Sequence, residues 1–76
     1  MANSYINVNK LKGKIVENGM SIAELAEKMN IDKSTLYRKL DPDGGSLLIS
    51  DANKIVEILN LGIDDATAIF FSKYVA

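Results

Sequence analysis

The sequence predicts an all-α fold, a compact bundle of about five helices in a single domain. Apolar residues recur at helical spacing in five separate stretches, and most of these stretches begin beside a residue that commonly caps helices. Glycine or asparagine follows several of them, as is typical where helices end. The 76 residues suffice for one modest core. We expect residues 1–7 to form a partly flexible N-terminal arm, and residues 8–76 to form the domain and its apolar C-terminal tail.

The first helix is predicted to start at Val8 or Asn9, from an asparagine cap, and to end at Asn18. Gly19 then permits the left-handed backbone that commonly closes a helix. The inner edge of this helix is predicted to comprise Leu11 and Ile15, with Val16 beside them.

The second helix has the clearest start signal in the chain. Ser21 is a good N-cap, and Glu24 three residues later completes a capping box. Because apolar residues follow at helical period, one face of this helix is predicted to be buried. That face comprises Ile22, Leu25, Ala26 and Met29.

A tight turn and a third helix follow directly. Asn30 tolerates the left-handed conformation that lets a chain leave a helix sharply. Asp32 is a good N-cap for the next helix, which is predicted to run to about Leu40. Leu36 and Leu40 give this helix a narrow buried edge. The side chains expected to point away from the core are Lys33, Ser34, Tyr37 and Arg38.

Residues 21–40, which read SIAELAEKMNIDKSTLYRKL, resemble the helix-turn-helix of the phage repressor and Cro-type (lambda repressor-like) family of bacterial DNA-binding proteins. The resemblance covers about residues 8–72 and implies five helices, with the helix-turn-helix at helices two and three. It also implies binding to double-stranded DNA. The chain departs from the family pattern at Asn30, where glycine is usual, and at Ile22, where many members carry a glutamine that contacts DNA.

The C-terminal half is expected to contribute two more helices. Ser50 is predicted to cap the fourth helix, which is expected to bury a stripe between Ala52 and Leu59. Asp64 is predicted to cap the fifth, over residues 65–72. Before them, the Pro- and Gly-containing segment 41–45 predicts a turn, and without a following Lys-Ser/Thr it is no phosphate-binding loop.

The resemblance implies that side chains of the third helix read base edges in the major groove. Phosphate contacts are expected at lysines and at helix N-termini with short hydroxyl caps, because backbone N–H groups there favour anions. The alternative is simple capping for Ser21 and Ser50, solvation for the charged side chains, and inward packing of the methyl group for Thr35. The expected base-reading residues are Lys33, Ser34, Thr35, Tyr37 and Arg38. The expected phosphate contacts are Ser21, Lys39, Ser50 and Lys10.

A domain of this size reads few base pairs, so we expect a homodimer on a near-palindromic operator. The apolar tail residues Phe71, Tyr74 and Val75 either form the dimer contact or close the core of the monomer. Since the chain ends at residue 76, we expect no effector domain. These features predict a small Cro-like regulator, phage- or prophage-encoded, that occludes a promoter.

Composition limits the alternatives. With no Cys and no His, the chain has no disulfide, no cysteine metal site and no usual general base, so we expect neither an enzyme nor a cofactor. No small-molecule ligand, signal peptide or membrane span is expected, which makes a bacterial or phage-encoded cytoplasmic protein the default. The net charge of −1 divides into +3 over residues 10–39 and −4 over residues 40–76. The rival function is an antirepressor-like protein-binding module that uses the same fold.

Overall fold

The computed structural model of the protein describes residues 6–40 and 47–71. These two segments contain five α-helices and no strand, which confirms the all-α fold class. None of the described helices is long and apolar enough to cross a membrane. The helices are α1 (Val8–Glu17), α2 (Ile22–Lys28), α3 (Lys33–Leu40), α4 (Ile49–Leu59) and α5 (Ile63–Phe70).

A single hydrophobic core joins all five helices. The second helix occupies a central place in it, because α2 packs against α1, α3 and α4, while α5 packs against α1. Every helix contributes at least two apolar side chains to the core or its border. The buried apolar residues within 6–40 and 47–71 are Leu11, Ile15, Leu25, Ala26, Met29, Leu36, Leu40, Ile55, Leu59, Ile69 and Phe70. Val16 was expected beside the inner edge of α1, but it is 72% exposed.

The start of α1 is attached to the end of α5. The Asn7 backbone N–H donates to the Ile69 carbonyl at 2.7 Å, and the Asn7 side chain caps α1 by accepting from the Lys10 N–H at 3.0 Å. Ile6 packs against the core. Residues 1–5, which make up most of the expected arm, lie outside the described residues.

Three helices end with the same left-handed residue geometry. Gly19, Asn30 and Asn60 follow α1, α2 and α4 with φ of 71°, 64° and 52°. The residue after each donates its N–H to a carbonyl five positions back, at 3.0 to 3.1 Å. These bonds satisfy carbonyls that a helix end otherwise leaves unpaired. The turn predicted at residues 41–45 lies outside the described residues.

Two predicted helix caps are wrong. The N-cap of α4 is Leu48, two residues before Ser50, and the N-cap of α5 is Gly62, two residues before Asp64. Helix α4 starts early because the Asp51 carboxylate reaches back to accept the Leu48 N–H at 2.9 Å. Asp64 lies in the first turn of α5, where the helix dipole favours an acidic side chain.

Candidate nucleic-acid interface

The unit formed by α2, residues 29–32 and α3 is stabilised at its start by a reciprocal cap. The Ser21 hydroxyl oxygen accepts the Glu24 N–H at 3.1 Å, and the Glu24 carboxylate accepts the Ser21 N–H at 2.8 Å. The predicted capping box is therefore confirmed. It fixes the first turn of the helix against which the third helix packs.

The turn between the two helices is closed by backbone bonds. Asn30 adopts the predicted left-handed conformation, and its N–H donates to the Glu27 carbonyl at 3.0 Å. The Ile31 N–H donates to the Ala26 carbonyl at the same distance. Asp32 then starts α3, because its carbonyl accepts the Leu36 N–H at 3.1 Å. These bonds set the direction in which the third helix leaves the second.

Helix α3 has one buried edge and one exposed face. Leu36 and Leu40 are 0% and 3% exposed and attach the helix to the core. Lys33 and Arg38 are exposed, and neither forms an ion pair with any carboxylate in residues 6–40 and 47–71. The five expected base-reading residues all lie on this helix, four of them exposed and Thr35 half-buried. The exposed face of α3, defined as Lys33, Ser34, Tyr37 and Arg38, therefore combines two uncommitted cations with two hydroxyl groups.

Residues 11–42 match the helix-turn-helix domain of resolvase. The match spans 32 of the 76 residues, from within α1 to just beyond α3, and supports a helix-turn-helix DNA-binding domain there. No curated protein and no solved structure matches the chain. The family model thus agrees with the sequence analysis on the helix-turn-helix, but it is not specific to the phage repressor and Cro type.

The cap at the start of α3, the second helix of the helix-turn-helix, also holds a side chain of the exposed face. One Asp32 carboxylate oxygen, Oδ2, accepts both the Ser34 N–H, at 3.0 Å, and the Ser34 hydroxyl. These two bonds, with the nearby Lys33 and Arg38 charges, hold the pKa of the Asp32 carboxyl below its ordinary value. From the sequence, Asp32 was predicted only to cap α3, although the Asp-x-Ser spacing was a signal for the second bond.

The expected phosphate contacts divide into two groups. Ser21 and Ser50 are exposed near the N-termini of α2 and α4, where backbone N–H groups favour anions. Lys10 and Lys39 instead have intramolecular partners. Lys10 Nζ lies 3.6 Å from an Asp65 carboxylate oxygen and is partly exposed, so it can still reach outward.

Of the two lysines, Lys39 is the less exposed and has the closer ion pair. Its Nζ lies 3.0 Å from the Asp51 carboxylate of α4, and the two side chains are 20% and 10% exposed. This pair was missed because the partners are twelve positions apart. The position of Lys39, directly before the buried Leu40, was the available signal that it borders the core.

A shallow groove beside the helix-turn-helix is predominantly acidic. Glu24, Glu27 and Asp32 contribute carboxylates there and would repel a phosphate backbone. The exposed face of α3 is thus better suited to DNA than the outer face of α2. No group of carboxylates in residues 6–40 and 47–71 could hold a metal ion. The groove is lined by Ala23, Glu24, Glu27, Ile31, Asp32 and Lys33.

Only one of the three expected dimer-contact residues is described. Phe71 follows the last residue of α5 and is 58% exposed. Tyr74 and Val75 lie outside the described residues. The expected dimer contact therefore stays a prediction.

Proposed function

We propose that the protein binds double-stranded DNA by placing α3 in the major groove, with Lys33, Ser34, Thr35, Tyr37 and Arg38 reading base edges. The observation that carries the proposal is the exposed face of α3. Its helix is attached to the core through Leu36 and Leu40, yet Lys33 and Arg38 have no carboxylate partner in the described residues. An α-helix fits the major groove, where each base pair has a distinct pattern of donors, acceptors and methyl groups.

The proposed phosphate contacts would hold α3 in its orientation in the major groove. Ser50 lies near the N-terminus of α4, where a hydroxyl and backbone N–H groups together can bind a phosphate oxygen. Ser21 lies at the N-terminus of α2, but its N–H is bonded to the Glu24 carboxylate, so it would offer a phosphate its hydroxyl proton. Lys10 adds a cation that retains partial exposure. Lys39 would have to leave Asp51 to reach a phosphate, so we assign it a structural role first.

The proposed biological role is that of a small transcriptional regulator of the phage repressor or Cro type. One copy of α3 reads few base pairs, so two copies on half-sites one helical turn apart would supply the specificity. The dimer contact is proposed to involve Phe71, Tyr74 and Val75. Such a dimer on a near-palindromic operator would occlude a promoter from transcription.

Selection of bound sequences from a pool of random duplexes tests this function. We expect one short motif to be enriched, repeated with inverted symmetry at about one turn of the duplex. Binding of the selected duplex should weaken with salt, with a log–log slope of about −0.9 per phosphate contact. A purified, folded chain that enriches no motif and retains no duplex at low salt would contradict the proposal.

An antirepressor-like protein-binding module is the second candidate. Two observations favour it: the net charge of −1 and the large apolar side chains exposed at helix starts, where Leu48, Ile49 and Ile63 are 60%, 82% and 82% exposed. Such side chains can mark a protein interface. The same salt titration separates the candidates, because a protein-only module would shift no duplex at any salt concentration.

A further inference from the structure

The Ser34 hydroxyl is directed at the cap of its own helix. It donates to Oδ2 of Asp32, and the Ser34 backbone N–H donates to the same oxygen at 3.0 Å. Both residues are exposed, and Ser34 is the second residue of α3. The oxygen of Ser34 therefore lies on the proposed reading face while its proton points towards the Asp32 carboxylate.

The direction of this hydrogen bond follows from the partner. An ionised carboxylate can only accept, so the hydroxyl must supply the proton. The two hydrogen bonds from Ser34, and to a smaller extent the Lys33 and Arg38 charges, hold the pKa of the Asp32 carboxyl below its ordinary value and so keep it ionised. With its single proton committed, Ser34 retains only lone pairs for a group approaching from outside.

We propose that Asp32 is a positioning residue for base recognition, which makes Ser34 an acceptor-only reader of DNA. The inference rests on the proposed function and names the base chemistry at one position. In the major groove, cytosine and adenine present an exocyclic amine that donates, whereas guanine and the thymine carbonyl only accept. Ser34 would therefore select cytosine or adenine on the strand that it contacts.

A serine without such a partner lacks this selectivity. Its hydroxyl rotates and can donate or accept, so serine contacts either kind of base edge. The Asp32 carboxylate removes that freedom, at the cost of placing a negative charge near the phosphate backbone. Removing the Asp32 charge should raise the affinity for every duplex by a similar factor. The positioning role is therefore measured by the ratio of affinities for duplexes that differ in one base pair, and not by the affinity for any one duplex.

The test compares base preference across four chains: the parent, Asp32→Gly, Ser34→Ala and the double variant. Each is titrated against the selected duplex and against duplexes with every base-pair change at each position. Glycine is chosen at residue 32 because it caps a helix almost as well as aspartate. Asn7→Gly, which removes the side-chain cap of α1 without changing the charge, is the control for loss of a cap.

We expect Ser34→Ala to identify one position at which the parent prefers cytosine or adenine by about tenfold, the value of one hydrogen bond. Asp32→Gly should reduce that preference to about twofold or less at this position alone, since the freed hydroxyl can then donate. Asp32→Gly combined with Ser34→Ala should match Ser34→Ala there. Asn7→Gly should leave every preference unchanged.

Several outcomes would overturn the inference while leaving DNA binding intact. One is that the parent prefers guanine or thymine at the position identified by Ser34→Ala. Another is that Ser34→Ala changes the base preference at no position. The third is that Asp32→Gly leaves the base preference at that position unchanged. A parent that enriches no duplex would instead overturn the proposed function and this inference together.

If Asp32→Gly loses its helical circular dichroism, Asp32→Asn replaces it. Asparagine caps equally well, and its neutral oxygen holds the proton more weakly, so a smaller reduction is expected.

Discussion

Lys39 of α3 and Asp51 of α4 form an ion pair, with Nζ 3.0 Å from the carboxylate. The same carboxylate accepts the Leu48 N–H at the start of α4. Asp51 therefore links the end of the proposed reading helix to the start of the next helix, and it is 7% exposed. The position of α3 on the core thus depends on a charge contact as well as on Leu36 and Leu40.

Replacing Lys39 with methionine should destabilise the protein by about 1–3 kcal/mol, because a nearly buried carboxylate loses its cation. Methionine has a similar length and helix propensity, so the change isolates the charge. Urea unfolding followed by circular dichroism measures the effect. Lys12→Met on the exposed surface of α1 is the control, and equal stability of the two variants would show that the ion pair contributes nothing.

The Asp51 pair should also make stability depend on pH. Burial opposes ionisation of Asp51, but the Leu48 N–H and the Lys39 ammonium outweigh it and hold the pKa below its ordinary value of 3.8. A group with a lowered pKa in the folded state stabilises the fold above its unfolded pKa, and this contribution disappears as the pH falls through the folded pKa.

The measurable quantity is the difference in unfolding free energy between the parent and Asp51→Asn. We expect it to be constant above about pH 5 and to decrease steadily towards pH 2. Repeating the comparison in the Lys39→Met background should give a smaller decrease, since one cause of the lowered pKa is then absent. If the difference in unfolding free energy between the parent and Asp51→Asn grew as the pH fell, the pKa of Asp51 would not be lowered in the folded state.

The bounds of α2 and α3 could be predicted from sequence because their signals are local. Ser21 and Glu24 form the capping box, and Asn30 takes the left-handed conformation expected of it. The starts of α4 and α5 could not be predicted in this way, because a serine or an aspartate suits both the N-cap and the first turn of a helix. Ser50 and Asp64 occupy the first turn, and contacts beyond the local sequence select the true starts.

The same division holds for the candidate site. Helical periodicity predicted which side chains of α3 face outward, including Lys33 and Arg38. It could not identify which cations are neutralised within the fold. Lys39 finds its partner on another helix, and Lys14 binds Asp65 of α5 at 2.9 Å. Such pairs depend on how the helices pack against each other, and the spacing of residues along one helix does not predict that packing.

Replacing Arg38 with alanine should reduce affinity for the selected duplex by about 1–3 kcal/mol and relax the base preference at one position. Arg38 is exposed, and it forms no ion pair with a carboxylate in the described residues. Titration against single base-pair variants of the duplex provides the measurement. Lys12→Ala removes the same charge from α1 and should change all sequences alike. An Arg38→Ala variant that binds as tightly and as selectively as the parent would remove Arg38 from the interface.

Replacing Ser21 with aspartate separates its two roles. Aspartate is an equally good N-cap and suits the helix dipole, so the free energy of unfolding should change by less than about 0.5 kcal/mol. If Ser21 contacts a phosphate, the new charge should weaken binding to every duplex and leave the base preferences intact. Lys12→Gln changes the net charge equally and is the control. Binding that falls no further than in this control would leave Ser21 as a cap alone.

Replacing Phe71 with serine distinguishes the two roles expected of the C-terminal tail. Phe71 is 58% exposed in the monomer, so the substitution should alter stability little. If Phe71 lies in a dimer contact, sedimentation should shift towards the monomer, and binding to a two-half-site duplex should weaken more than binding to a single half-site. Val16→Ser, at a comparably exposed apolar residue of α1, should change neither property. A Phe71→Ser variant with parental mass but lowered stability would instead indicate that the tail closes the core.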